Sequence, residues 1–232
     1  MIEELKKQVC QANLELVDRG LVVQTFGNVS GVDRGRGLVV IKPSGVSYDN
    51  MAPDQMVVVS LEDGSVAEGD LRPSSDTPTH LELYRAFESI GGVVHTHSAF
   101  AAAWAQAHQC IPAFGTTHAD FFYGPVPCTR AMTADEIVEQ YEANTGKVII
   151  EHFREKKLDP GSFPGALVAS HGPFTWGESP QAAVGSAEAL EYIARLAAET
   201  VKINPYPGRI SSDLLDKHFL RKHGSGKYYG QD

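Results

Sequence analysis

Three histidines close hydrophobic runs in this chain. Val93-Val94-His95-Thr96-His97-Ser98 sets two of them one residue apart. Successive side chains on a strand alternate faces, so His95 and His97 would offer two imidazoles to one side of a sheet edge. The third ends Ala166-Leu167-Val168-Ala169-Ser170-His171, and Gly172-Pro173 follows at once. A His-x-His pair alone is an ordinary surface or core feature. Three imidazoles at strand ends are the ingredients of a catalytic zinc-type site with a coordination position left open. Such an ion polarises a carbonyl and can hold an enediolate.

Asp76 is the candidate fourth ligand. One carboxylate beside a neutral imidazole trio halves the charge of a divalent ion and still leaves it attractive to an oxyanion. The competing role for Asp76 is to cap the helix opened by Asp76-Thr77-Pro78, and both roles are compatible. Three short stretches have the makings of anion cradles: Gly27-Asn28, Lys42-Pro43-Ser44-Gly45 and Pro73-Ser74-Ser75. Singly, each is an ordinary turn. Ser74 and Ser75 lie at a predicted helix N-terminus, which favours phosphate, and Lys42 adds a point charge. Beside a metal site they suggest a small phosphorylated substrate. No nucleotide-binding glycine loop is present. Asp120, Tyr229 and His218 are candidates for proton transfer; by residue chemistry alone, Asp120 is a loop-stabilising carboxylate and Tyr229 an aromatic in a frayed tail. His80, His108, His118, His152 and His223 read as surface or structural.

These groups need a scaffold to position them. The 232 residues suit one large domain, and 42% hydrophobic content supports a substantial core. A net charge of −9 argues against nucleic acid or an anionic membrane as partner. Cys10, Cys110 and Cys128 form no Cys-x-x-Cys pair and no disulfide framework, which fits a reducing cytoplasm. The charged start, Met1 to Lys7, lacks a secretory apolar run, and no stretch approaches a membrane span. Helical periodicity covers residues 2 to 19, and Leu21-Val22-Val23 begins a β-rich stretch. Strands are predicted at 38–41 and 56–59, with a hairpin turn at 62–65. Further helices are predicted from Asp76 to about Phe87, over 99–107, from the Thr133–Glu136 capping box into the 150s, over 179–201 and over 211–222. Residues 110–131 read as an irregular, functional loop. The pattern predicts a three-layer α/β/α domain spanning 1–232, with a central, largely antiparallel sheet flanked by helices.

With these residues in view, the chain resembles the class II (metal-dependent) aldolase and epimerase family nearly end to end, on its L-ribulose-5-phosphate 4-epimerase branch. The carriers are Gly27-Asn28-Val29-Ser30, Ile41-Lys42-Pro43-Ser44-Gly45, Pro73 to His80, Val94-His95-Thr96-His97-Ser98, Gly115 to Asp120, Ser170-His171-Gly172-Pro173-Phe174, Asp216 to Gly224, and Tyr228-Tyr229-Gly230-Gln231. The resemblance implies that Asp76, His95, His97 and His171 bind Zn2+, with Mn2+ or Co2+ as substitutes. It implies that Gly27, Asn28, Lys42, Ser44, Gly45, Ser74 and Ser75 hold the phosphate of a ketopentose. Asp120 and Tyr229 would be the acid/base pair, with His218 near them. Tyr229 would enter a neighbouring subunit's site, which implies a homotetramer. Sister aldolases carry Glu where Asp76 stands, so Asp favours the epimerase branch. The alternatives are a ketose-phosphate aldolase of the fuculose-phosphate type and a sugar-phosphate-binding protein with a structural metal.

Overall fold

The computed structural model describes residues 2–224 and 226–228. Tyr229 lies outside the described residues. The elements run α1 (Ile2–Asp18), β1 (Gly27–Asp33), β2 (Leu38–Ile41), β3 (Val57–Ser60), β4 (Val66–Glu68), α2 (Thr77–Ala86) and β5 (Gly92–Thr96). They continue with α3 (Ala99–Gln106), the single turn α4 (Thr116–Ala119), α5 (Ala134–Lys156), β6 (Gly165–Val168), β7 (Gly172–Gly177), α6 (Pro180–Ile203) and α7 (Ser212–His223).

The seven strands form one sheet in the order β4-β3-β2-β1-β5-β7-β6, and every neighbouring pair is antiparallel. Side-chain alternation gives the sheet two apolar faces. Val39, Val57, Val59 and Val93 join Leu83 and Tyr84 of α2 and Ile149 and Phe153 of α5 in one buried cluster. Val29 and Val94 pack with Ala12 and Leu16 of α1 and Ala183 and Val184 of α6. Val40 and Val58 meet Val9 and Cys10 of α1. Helices therefore cover both faces, as the mixed strand and helix pattern predicts.

Local chemistry sets the helix ends. Thr133 Oγ1 accepts from Glu136 N while the Glu136 carboxylate accepts from Thr133 N, completing the capping box that starts α5. Ser179 and Ser211 accept from Ala182 N and Leu214 N to cap α6 and α7. Three expectations change. Leu21–Val23 contributes only a bridge between Val23 and Phe26. Gly27 and Asn28 are not a turn but the first residues of β1, opposite Thr96 and His95. The stretch 110–131 is not wholly irregular: it holds α4, and Ile111 and Val126 bridge across it. No described helix is long and apolar enough to cross a membrane.

Candidate metal centre and phosphate cleft

His95 is the penultimate residue of β5, and His97 lies just past its end. His171 follows β6 in the tight turn into β7, where its N–H bonds to Val168 O and Ser170 adopts φ +63°. Two chain crossings thus deliver three rings to one point. Their donor nitrogens all lie within 4.8 Å of one another. The His95 and His97 Nε2 atoms are 3.1 Å apart, close to the roughly 3.4 Å expected of two nitrogens on a tetrahedral ion with Zn–N near 2.0–2.1 Å. The His95 ring stacks on Phe174, its cross-strand neighbour, at 4.2 Å and 14°. In the tautomer that bares Nε2 toward the cluster, His95 Nδ1–H donates to Pro173 O at 3.0 Å. Pro173, part of the His171-Gly172-Pro173 element, lies within β7 and supplies that carbonyl.

Burial lowers the pKa of His95. Burial first, then the neighbouring rings of His95 and His97, pushes His171 down to about 3. Both rings are therefore neutral at neutral pH, the form that binds a metal. The donor set fits a divalent cation of the zinc type.

Asp76 sits at the N-cap position of α2, yet its side chain makes no capping bond. The capping role is thus not used. Its Oδ2 instead accepts from Asn28 Nδ2 at 2.6 Å. Burial alone would raise the Asp76 pKa, but His95, His80 and the Asn28 bond outweigh it and hold the carboxyl below its ordinary value. Asp76 lines the same cleft as the imidazoles but lies outside their 4.8 Å cluster.

That cleft, about 390 Å³, is also lined by Gly27, Asn28, Lys42, Ser44, Gly45, Ser74 and Ser75. The structure brings together all seven predicted phosphate-holding residues and all four predicted ligands. Gly27 is required at its place: it has φ +131°, and a Cβ there would meet Val22 Cγ1 at 2.6 Å. Asn28 Nδ2 also donates to Ser74 Oγ at 3.1 Å, while its Oδ1 is buried without a hydrogen-bond partner among the described residues. Lys42 is 2% exposed and donates to Val46 O at 2.8 Å, and burial lowers its pKa. Thr25, Phe26, Tyr141 and Glu142 line the cleft too, unforeseen from sequence. Phe26 adjoins the Gly27-Asn28 motif, but nothing in the helical pattern around Tyr141 marks it.

Asp120 and His218 fall elsewhere. Asp120 ends α4 and faces α7, where its carboxylate takes hydrogen bonds from His218 Nδ1 at 3.0 Å and Arg221 at 3.1 Å. Lys222 Nζ is 3.4 Å away. Burial opposes ionisation, but His218, Arg221 and Lys222 prevail and lower the Asp120 pKa. Asp120 and His218 are thus hydrogen-bonded within one chain, and neither lines the cleft. Among the remaining histidines, His80 is fully buried rather than superficial. Its Nδ1 bonds to Ser30 Oγ at 2.7 Å, and Ser30 Oγ shares a second bond with Tyr84. His118 is buried against Gly124 O at 2.6 Å, closing its own loop.

The fold and the cleft together define a three-layer α/β protein with an imidazole centre beside an anion cradle. The profile of the Class II Aldolase and Adducin N-terminal domain matches residues 7–198, and the chain belongs to that family. Among solved structures, an L-fuculose 1-phosphate aldolase superposes with TM-score 0.78 at 23% identity, covering 93% of this chain and 94% of that one. YgbL from Klebsiella pneumoniae gives 0.72 at 24% identity over 94% and 98%. The L-fuculose-1-phosphate aldolase of Thermus thermophilus gives 0.65 at 22% over 89% and 98%. These likenesses establish the fold.

Proposed function

We propose that this chain is a metal-dependent L-ribulose-5-phosphate 4-epimerase, interconverting that sugar with D-xylulose 5-phosphate in pentose catabolism in the cytoplasm. One observation carries the reading: the imidazole trio and the Lys42, Ser44, Gly45, Ser74 and Ser75 cradle line a single cleft. The short carboxylate of Asp76 and the family membership support it.

The C4 proton of the substrate is not α to the C2 carbonyl, so direct deprotonation would leave an unstabilised carbanion. Breaking C3–C4 is the accessible route. A base takes the C4 hydroxyl proton, and the C3–C4 electron pair passes toward C2. The products are the enediolate of dihydroxyacetone and glycolaldehyde phosphate. Rotation of the aldehyde presents its other face, and re-addition with return of the proton inverts C4. A divalent cation held by His95, His97 and His171, with Asp76, would supply Lewis acidity to the substrate oxygens. The cradle residues keep the small aldehyde phosphate from escaping and within reach. Two acid/base groups are needed, one for each face, and Asp120 and Tyr229 are assigned to them, with His218 beside Asp120. Since Asp120 lies away from its own chain's cleft lining, these groups are assigned to the cleft of an adjacent subunit in a homotetramer.

The test is incubation with L-ribulose 5-phosphate, with and without chelator. Chelator-sensitive formation of D-xylulose 5-phosphate supports the epimerase. Accumulation of dihydroxyacetone and glycolaldehyde phosphate identifies an aldolase instead. Zinc and substrate binding without turnover identifies a sugar-phosphate-binding protein.

A further inference from the structure

We propose that Tyr141 is a positioning residue for the third imidazole: its phenol oxygen holds the Nδ1 side of His171, so that Nε2 is the atom turned to the cation. This rests on reading the imidazole cluster as a divalent metal site. Metal-binding histidines are oriented by whatever their second ring nitrogen bonds to, and that partner fixes both tautomer and ring angle. His95 has such a partner in the main chain, Pro173 O at 3.0 Å. For His171 the group placed at Nδ1 is Tyr141 Oη, at 3.4 Å, with the two rings tilted by 33° at a centroid distance of 5.9 Å.

The chain around Tyr141 is built to put it there. Gln140 breaks α5 with φ −147° and ψ 65°. In an unbroken helix its N–H would bond to Glu136 O. Here Asn144 Nδ2 takes that carbonyl at 2.8 Å, so a side chain bridges the break. Immediately beyond it, Thr145 Oγ1 donates to Tyr141 O at 2.9 Å and Thr79 Oγ1 to Glu142 O at 2.6 Å. Thr79 belongs to α2, whose first turn follows Asp76. At Gly146 the two helices touch so closely that a Cβ would lie 2.7 Å from Glu82 Cβ and 3.0 Å from Thr79 O. Tyr141 is thus carried on the same helix pair that carries Asp76. A break that turns one aromatic into the cleft, with side chains bonding the carbonyls of Glu136, Tyr141 and Glu142, is a positioning device rather than a random kink.

Tyr141→Phe keeps the ring and removes only the oxygen. Loss of an outer partner of a metal-binding histidine typically weakens metal affinity by about 10–100-fold. Competition against a fluorescent chelator should therefore show Zn2+ bound at least about 10-fold more weakly by Tyr141→Phe, with the melting temperature of the metal-free protein unchanged. The visible spectrum of the Co2+-loaded variant should shift, which a purely structural ring would not cause. Equal zinc affinity in the variant and the unaltered chain overturns the proposal. A second measurement needs no variant: nitrogen-correlated NMR of the metal-free protein should find His171 protonated on Nδ1, and a dominant Nε2–H form overturns it. Failure of the sugar-phosphate assay with these results intact would refute the proposed reaction and leave this inference standing. A chain without zinc affinity refutes both.

Discussion

Around the cleft, three imidazoles converge, and two of them are held neutral at ordinary pH by burial. Outside the cleft lining, Asp120 is a carboxylate already ringed by His218, Arg221 and Lys222. The first region presents donors that suit an external cation. The second has its counter-charges from its own chain. Their supports differ as well. His95 sits on β5, a buried strand in the interior of the sheet, and His171 in the tight turn that joins buried β6, at the sheet edge, to β7. The helix α7 that grips Asp120 has Phe219 as its buried residue, so its hold depends on the charged cluster and its caps. The lesson is that a group meant to bind a metal is best set on a rigid frame. Asp120, proposed above for proton transfer, instead sits at the end of the single turn α4 and is held by side chains of α7.

If the two regions are separable in this way, His97→Ala should have the largest effect. Turnover should fall by more than about 100-fold, beyond what loss of an outer partner costs, and bound zinc should fall with it. Near-normal rates in that variant would refute the metal centre. Asp120→Asn should lower turnover by about 10²–10⁴-fold while zinc stoichiometry stays intact. Hydrogen exchange along α7 should accelerate, and a loss of zinc in this variant would collapse the distinction between the regions. Tyr229→Phe should depress kcat far more than it raises KM; a pure KM change argues against proton transfer.

Acid separates the regions more gently. Unfolded histidines titrate at the ordinary 6.5, whereas burial holds His80 and His171 at about 3 and His118 at about 4 in the folded chain. Between these values the unfolded state binds more protons. Stability should therefore be flat above pH 6.5 and fall as pH drops through the window, by up to about 1.4 kcal/mol per unit for each histidine. Asp120 has the opposite sign of charge and a lower window. Its folded pKa lies below 3.8, so its contribution is present above that value and lost only as pH falls through the folded one. Denaturant midpoints of metal-free protein from about pH 8 to pH 2 measure both windows, and a flat profile contradicts the prediction. The smallest effect belongs to Ser211→Ala, which removes the cap of α7. It should cost about 1 kcal/mol and speed exchange in α7, with zinc affinity unchanged.

The sequence by itself determined the three imidazoles that come together and the layers. His95 and His97 announce themselves because strand alternation has a period of two, and His171 because a second apolar run ends on it. The capping box at Thr133 and the valine-rich runs are local signals that tertiary packing did not override. Other features had no such signal. Whether Gly27-Asn28 is a turn or a strand end was decided by pairing with Thr96 and His95, a contact across 67 or more residues of chain. Pro173 could enter β7 only because the surrounding sheet tolerated it. The break at Gln140 has no proline or glycine to mark it, and so the approach of Tyr141 to His171 could not be read in advance. Asp120 shows the same limit: residue type named it a candidate, while the docking of α7 chose its partners. Periodicity and capping are properties of neighbours along the chain. Which face of one segment meets another is set by burial and hydrogen-bond satisfaction over the whole fold, and only the tertiary structure resolves that.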